Sequence, residues 1–374
     1  MKPTRPPLDG VRVLEVSGSV AGAFAGRYLR GYGADVVHAP LDVRAPLTSD
    51  ERGYLHAGKR VIDPEPAALR ALAAVADIVI EDAAEGVLDG WDCAPATLRS
   101  HRPDLVVVSV TPFGRTGPYA GYQATNIVAF AMGGIMSVTG DPERPPLVTG
   151  GSQAYYLGGL NAAGAAVAAY YGRLVHGEGD HVEISMQECL AANMELYASG
   201  TAYGDPVQLR MGNQVRPVWA IYPCGNRWAG VFCLQRQIPA LFALLDDPEL
   251  ERDPRFLDPL RRDEVADELT AKLYAFFAEH TPEEIIELAR TSNVPFGVAM
   301  TPGDLLASAG LRERAFFDEV AIAGGATGTA ATHVGATVTM PGRPFPGLAW
   351  RPPEQVEPVA AAVAEVLEQW TVAS

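Results

Sequence analysis

The chain has 374 residues, 48% hydrophobic and 20% charged, and its 45 Asp and Glu outnumber 29 Lys and Arg for a formal charge of −16. That composition describes a globular protein able to bury a large core, on a length that suits about two domains. The acidic balance speaks against a nucleic-acid partner, whose phosphates need a basic footprint, and no run of about 18 apolar residues suggests a membrane span.

The start, "MKPTRPPLDG", lacks the apolar stretch of a signal peptide. Four cysteines without CxxC spacing (Cys93, Cys189, Cys224, Cys233) fit a reducing cytoplasm. His176 and His181 are the histidines nearest in sequence, but they flank a "GEGD" turn instead of sharing a helix face. No metal is therefore expected.

Strand and helix alternate over the first part. "VRVLEVS" is a β-rich run, and "VAGAFAGRYLRGYG" follows with helical spacing and a closing Gly33. Then come "ADVVHA" as strand, "PEPAALRALAAVA" as helix, "DIVIED" as strand, "PATLRSHR" as helix and "DLVVVSVTPF" as strand. This rhythm predicts a parallel sheet covered by helices, with ligands at the carboxyl ends of its strands. From residue 124 to 200 the chain reads as long helices rich in Gly and Ala, expected to be interior, with "HVEIS" as a short strand among them. Beyond residue 200, "PVWAIYPCGNRWAGVFCLQ" reads as a hairpin, and "TPEEIIELAR" opens with a capping box of Thr281 and Glu284. The tail "PPEQVEPVAAAVAEVLEQW" is expected to be one amphipathic helix.

Individual motifs are weak. "EVSGSVAG" is not G-x-G-x-x-G and reads as a tight strand-to-helix turn, which argues against a nicotinamide dehydrogenase. "GGSQA" loosely matches a nucleophile elbow around Ser152, with His176, His181 and His333 downstream; a helix-capping serine is the plainer reading. Lys59 and Arg60 in "HAGKR" form the clearest basic pair of the first half, either a solvated loop or a phosphate contact.

Taken together, several stretches resemble the class III CoA-transferase family, which includes formyl-CoA and carnitine CoA-transferases and α-methylacyl-CoA racemases. They are "PLDGVRVLEVSGSVAGAFAGRYLRGYGADVV", "GKR", "ADIVIEDAAEGVLDG", "SVTPFGRTGPYAGY", "MGGIMSVTGDPERPP", "GGLNAAGAAVAAYYGRLVHGEGDHVEISMQE", "VPFGVAMTP" and "PGRPF", in family order over nearly the whole chain. The resemblance implies an α/β fold: a large Rossmann-like domain over residues 1–200, to which 340–374 return, and a smaller α+β domain over 201–339 with its linkers. It also implies a dimer of interlinked rings, either a homodimer or a heterodimer with a homologous chain. The reaction would be acyl-CoA:carboxylate CoA transfer, with coenzyme A or acyl-CoA as substrate.

In such transferases an Asp attacks the thioester, four residues before the Gly of the small-residue helix. Here that position is Tyr155, beside Ser152 and Gln153. The CoA contacts implied are Ala21 and Gly22 in the first turn, Lys59 and Arg60, Asp82, and Met186 near the pantetheine end. Other family positions have changed. The adenine-side motif reads Glu81-Asp82-Ala83, a basic position has become part of "VVHAPLD", and the racemase acid–base stretch reads Thr125-Asn126. Three readings stay open. One is a transferase using another carboxylate, with Glu178, Asp180 and Asp82 as candidates. Another is a non-catalytic chain of a mixed assembly. The third is a repurposed enzyme using Tyr155, Tyr156, Ser152 or Gln153 as acid, base or oxyanion donor.

Overall fold

Short runs of Val and Ile spaced by helices become a parallel sheet. The structure, a computed structural model, describes residues 5–42, 47–204, 210–321, 337–345 and 348–372; His333 lies outside them. Its strands are β1 (Arg12–Ser17), β2 (Asp35–Pro40), β3 (Arg60–Val61), β4 (Ile78–Glu81), β5 (Val106–Thr111) and β6 (His181–Ser185), joined by a C-terminal strand, Val359–Ala360. The order is C-terminal strand–β3–β2–β1–β4–β5–β6, and every pairing is parallel. The order reverses between β1 and β4, which opens a crevice beyond their carboxyl ends.

Alternate residues serve opposite faces. Val13, Ile80 and Val108 pack against helices α1 (Val20–Gly31) and α6 (Gln153–His176). Leu14, Val79 and Val107 pack against α3 (Pro66–Ala73), α4 (Pro95–His101) and the last helix, Val363–Val372. Helix α2 (Ser49–His56) precedes β3, α5 (Asn126–Met132) precedes α6, and α7 (Met186–Ala191) follows β6. The contact of α1 with α6 is close because Gly159 has no side chain. A Cβ there would stand 2.5 Å from the Ala21 carbonyl oxygen. Gly33, at φ +107°, ends α1 as its sequence position suggests.

The chain divides into two units. One comprises Met1–Met136, Val148–Val207 and Ser308–Ser374, and the other Ser137–Leu147 and Gln208–Ala307. The return to the first unit thus begins at 308, and eleven residues from before α6 go to the second. That second unit holds the antiparallel sheet β10–β9–β8–β7, from β7 (Gln214–Arg216), β8 (Trp219–Cys224), β9 (Arg227–Phe232) and β10 (Phe296–Val298). The expected hairpin is β8–β9, turning at Gly225 with φ +56°. Both bonds of the Thr281–Glu284 capping box are made.

Two expectations need correction. The tail is not one helix: the residues before Val359 form none, Val359–Ala360 add a strand to the sheet edge, and the helix starts only at Val363. Pro352, Pro353 and Pro358 explain the delay, since each lacks an N–H and disfavours helix in the residue before it. Nor is α6 wholly interior. Leu160, Val167, Tyr171, Leu174 and Val175 are exposed along one side of it.

Gly159→Ala should lower stability by about 2 kcal/mol or more, because a backbone carbonyl cannot move aside. Gly172→Ala, in the same helix with open space around it, should be neutral or gain up to about 1 kcal/mol. Urea denaturation of the two variants checks the contrast.

Candidate functional site

The crevice between β1 and β4 is shaped by Asp82, which follows β4. Its carboxylate accepts hydrogen bonds from the N–H of Gly18 (2.8 Å) and Ser19 (3.0 Å) and from the Ser19 hydroxyl (2.5 Å). Ser19 caps α1, its Oγ accepting from Ala21 N at 3.2 Å. Asp82 thus occupies the positive end of α1, where folds of this kind hold a ligand's anion. Gly22 makes room for it, since a Cβ there would lie 2.7 Å from Asp82 Oδ2. A cavity of about 550 Å³ opens beyond, lined by Pro40, Leu41, Pro64, Val87 and Trp91 and by the polar Asp42, Asp82 and Gln123.

Beneath the edge lies a buried charged cluster. Lys59 is fully buried; its Nζ donates to Glu15 Oε2 at 2.6 Å and to the Ala23 carbonyl at 2.7 Å. The Ser17 hydroxyl donates to Glu15 Oε1 at 2.7 Å. His38 Nδ1 stands 2.9 Å from the same oxygen but out of line for a hydrogen bond, and His56 stacks on His38 with centroids 4.3 Å apart. Both histidines line a second cavity of about 210 Å³ with Arg52 and Leu47. Burial pushes Glu15 up, but Lys59 and His38 outweigh it and hold the carboxyl well below its usual range. Burial, with Lys59 nearby, pushes His56 down to about 2, so it is neutral.

The start of α6 is tied to the segment before α5. Tyr155, 8% exposed, donates its hydroxyl to the Ala124 carbonyl at 3.0 Å. Asn126 Oδ1 accepts from Ala154 N at 2.9 Å and its Nδ2 donates to the Gly151 carbonyl at 3.2 Å. Asn126, not Ser152, therefore caps this helix: Ser152 sits at the N-cap position without a capping bond from its side chain. Gln153 is exposed and donates to the Gly150 carbonyl at 3.3 Å.

The other residues singled out by sequence are placed as follows. Met186 is buried at the start of α7 against Gly158, and Ala21 is buried against Gly159. Arg60 pairs with Asp35, donates to Gln369 at 2.7 Å and lies over the Trp370 ring. With Lys59 sealed against Glu15, neither member of that basic pair stands free for a phosphate. Glu178 and Asp180 are exposed in the loop before β6, and Asp180 accepts from the N–H of His181. His181 pairs with Ser109 at 2.8 Å, not with Ser152. Sequence reasoning missed Glu15, His38 and His56. Glu15 and His38 each interrupt an apolar strand run, which was the signal, but His56 ends a mostly polar helix and the three segments are separate.

Asn126→Ala should cost about 1 kcal/mol through the lost cap, read by thermal denaturation. Unfolded His56 takes a proton below its ordinary 6.5, whereas folded His56 stays neutral until about 2. Its burial therefore stabilises above 6.5 and that contribution is lost as pH falls toward 2, by up to about 1.4 kcal/mol per pH unit. Stability should drop between pH 7.5 and 5.5, and His56→Leu should drop less, measured by denaturation midpoints.

Over residues 56–355 the chain matches the CoA-transferase family III. It is 30% identical over 332 residues to the succinyl-CoA–D-citramalate CoA-transferase of Chloroflexus aurantiacus, covering 82% of each chain. To the formyl-CoA:oxalate CoA-transferase of Streptomyces avermitilis it is 28% identical, covering 81% of this chain and 83% of that one. Its fold resembles a CAIB/BAIF family protein from Brucella suis, with a TM-score of 0.81 and 25% identity over 98% of this chain and all of that one. The sheet order, the crevice at its switch point and these likenesses agree: the chain belongs to CoA-transferase family III.

Proposed function

We propose that this chain moves coenzyme A from an acyl-CoA donor to a carboxylate acceptor in the crevice beyond β1 and β4, and that residue 155 takes no covalent part. The observation that carries the reading is the Tyr155 hydroxyl, buried and committed to the Ala124 carbonyl. A tyrosine hydroxyl has an ordinary pKa of about 10, and its ester lacks the activation of an anhydride. The acceptor carboxylate is then the nucleophile. Its attack on the thioester carbonyl breaks the C–S bond and gives a mixed anhydride and CoA thiolate. The thiolate attacks the acceptor's carbonyl and expels the donor as carboxylate, with no net proton change. Dicarboxylic acids of the kind named in the relatives, with succinyl-CoA as donor, are the substrate class.

The partner is a second copy of the chain in an interlinked dimer, covering the exposed apolar side of α6. Leu160, Val167, Tyr171, Leu174 and Val175, between 41% and 68% exposed, form a stripe too apolar for a helix side left in water. A reducing cytoplasm suits its four free cysteines. The same stripe supports a second reading, in which the partner is a homologous chain that carries the nucleophile.

Succinyl-CoA and a panel of dicarboxylates should yield new acyl-CoA with sequential kinetics, and intact mass should show no hydroxylamine-sensitive adduct. Tyr155→Phe should cost about 1 kcal/mol of stability for its hydrogen bond and leave turnover within about threefold. A covalent adduct on the chain, or ping-pong kinetics, would refute the ternary reaction. Turnover only after mixing with a homologous chain carrying Asp would favour the second reading.

A further inference from the structure

Glu15, His38 and His56 come from β1, β2 and the end of α2, and register sets Glu15 directly beside His38 on neighbouring strands. All three are buried, at 0%, 6% and 8% exposure, and one ligand atom of each lies within 4.8 Å of the others. Nδ1 of His56 has no hydrogen-bond partner, and that of His38 stands 2.9 Å from Glu15 Oε1. Buried polar nitrogens are ordinarily satisfied, so the orphan on His56 beside this pair calls for an explanation. Both rings also wall the 210 Å³ cavity, which gives the cluster a route to solvent.

We propose that Glu15, His38 and His56 bind a transition-metal dication of the Zn²⁺, Co²⁺ or Ni²⁺ kind, open to the cavity on one side. Two imidazoles and one carboxylate suit these borderline ions and not Mg²⁺ or Ca²⁺, which want oxygen. The third ligand is not fully committed. Lys59 holds Glu15 Oε2 and has the Ala23 carbonyl as its other acceptor, while Oε1 is met by the rotatable Ser17 hydroxyl. Oε1 can turn to an ion while Oε2 keeps Lys59. The stacked rings must rotate to aim their lone pairs at one point, and the cavity gives His56 room to do so. Solvent from the cavity completes the coordination. The cationic groups nearby are Lys59 and Arg52, so a monovalent ion, with its weaker hold, would not persist there.

The test uses the full chain stripped with EDTA and titrated with Co²⁺, followed by visible absorption, and with Zn²⁺, followed by calorimetry. Binding of one ion per chain with a micromolar or tighter Kd is expected. His56→Leu should weaken it at least about 100-fold, since changes outside the ligand shell alone reach that size. Binding no tighter than millimolar, or binding unchanged in His56→Leu, overturns the site. Should that variant not fold, X-ray absorption of the zinc-loaded wild type decides: a shell with two imidazoles and carboxylate oxygen supports the proposal, and one with fewer imidazoles refutes it.

Discussion

One buried ion pair, Lys59 with Glu15, organises the carboxyl edge of the parallel sheet. Removing each ion from water costs several kcal/mol, and attraction between them offsets that only if the remaining polar atoms are satisfied. Here they are. Nζ also reaches the Ala23 carbonyl in α1, and Oε1 receives the Ser17 hydroxyl. The pair joins β1, the residue leading into β3, and helix α1. It fits only because residue 26 is glycine: a Cβ there would stand 1.8 Å from Glu15 Oε2. Loss of either ion would leave the other buried and uncompensated, which is far worse than replacing both.

A second internal anion follows the same logic. Asp82 saturates the N–H groups of the β1–α1 turn that would otherwise await a ligand. The chain has thus spent its best local cation and its first helix N-terminus on itself. What it leaves open at the switch point is a cavity lined by Pro, Leu, Ala, Val and Trp together with Asp42, Asp82 and Gln123. Such a wall holds a ligand by shape and apolar contact, with orientation set by few polar groups.

Much of this architecture was legible in the sequence, and the reason is local. The alternation of Val-rich runs with helical spacing, the Gly33 stop, the hairpin around Gly225 and the Thr281 capping box all depend on neighbours in the chain. The pairings that decide the site are not local. Lys59 and Arg60 look like a free basic pair until Glu15 and Asp35, 44 and 25 residues away, are brought beside them. His38 and His56 look like scattered histidines until β2 and α2 stack them. Ser152 looks like a cap until Asn126, from another helix, takes the bond. The tail misled because its Ala and Glu content masks three prolines.

The start of α6 joins these threads. The small residues Gly158 and Gly159 let its inner side approach α1 and Met186 to contact distance, while Leu160 and Val167 leave its outer side apolar and uncovered. A helix apolar on both sides gains from cover on both. The Tyr155 and Asn126 bonds hold its first turn in place regardless of that cover. Residue 155 is therefore held in place, with its hydroxyl turned to a backbone carbonyl. On the proposed reading the nucleophile enters the crevice with the substrates, because the Tyr155 hydroxyl is bonded to the Ala124 carbonyl and Asp82 to the β1–α1 turn.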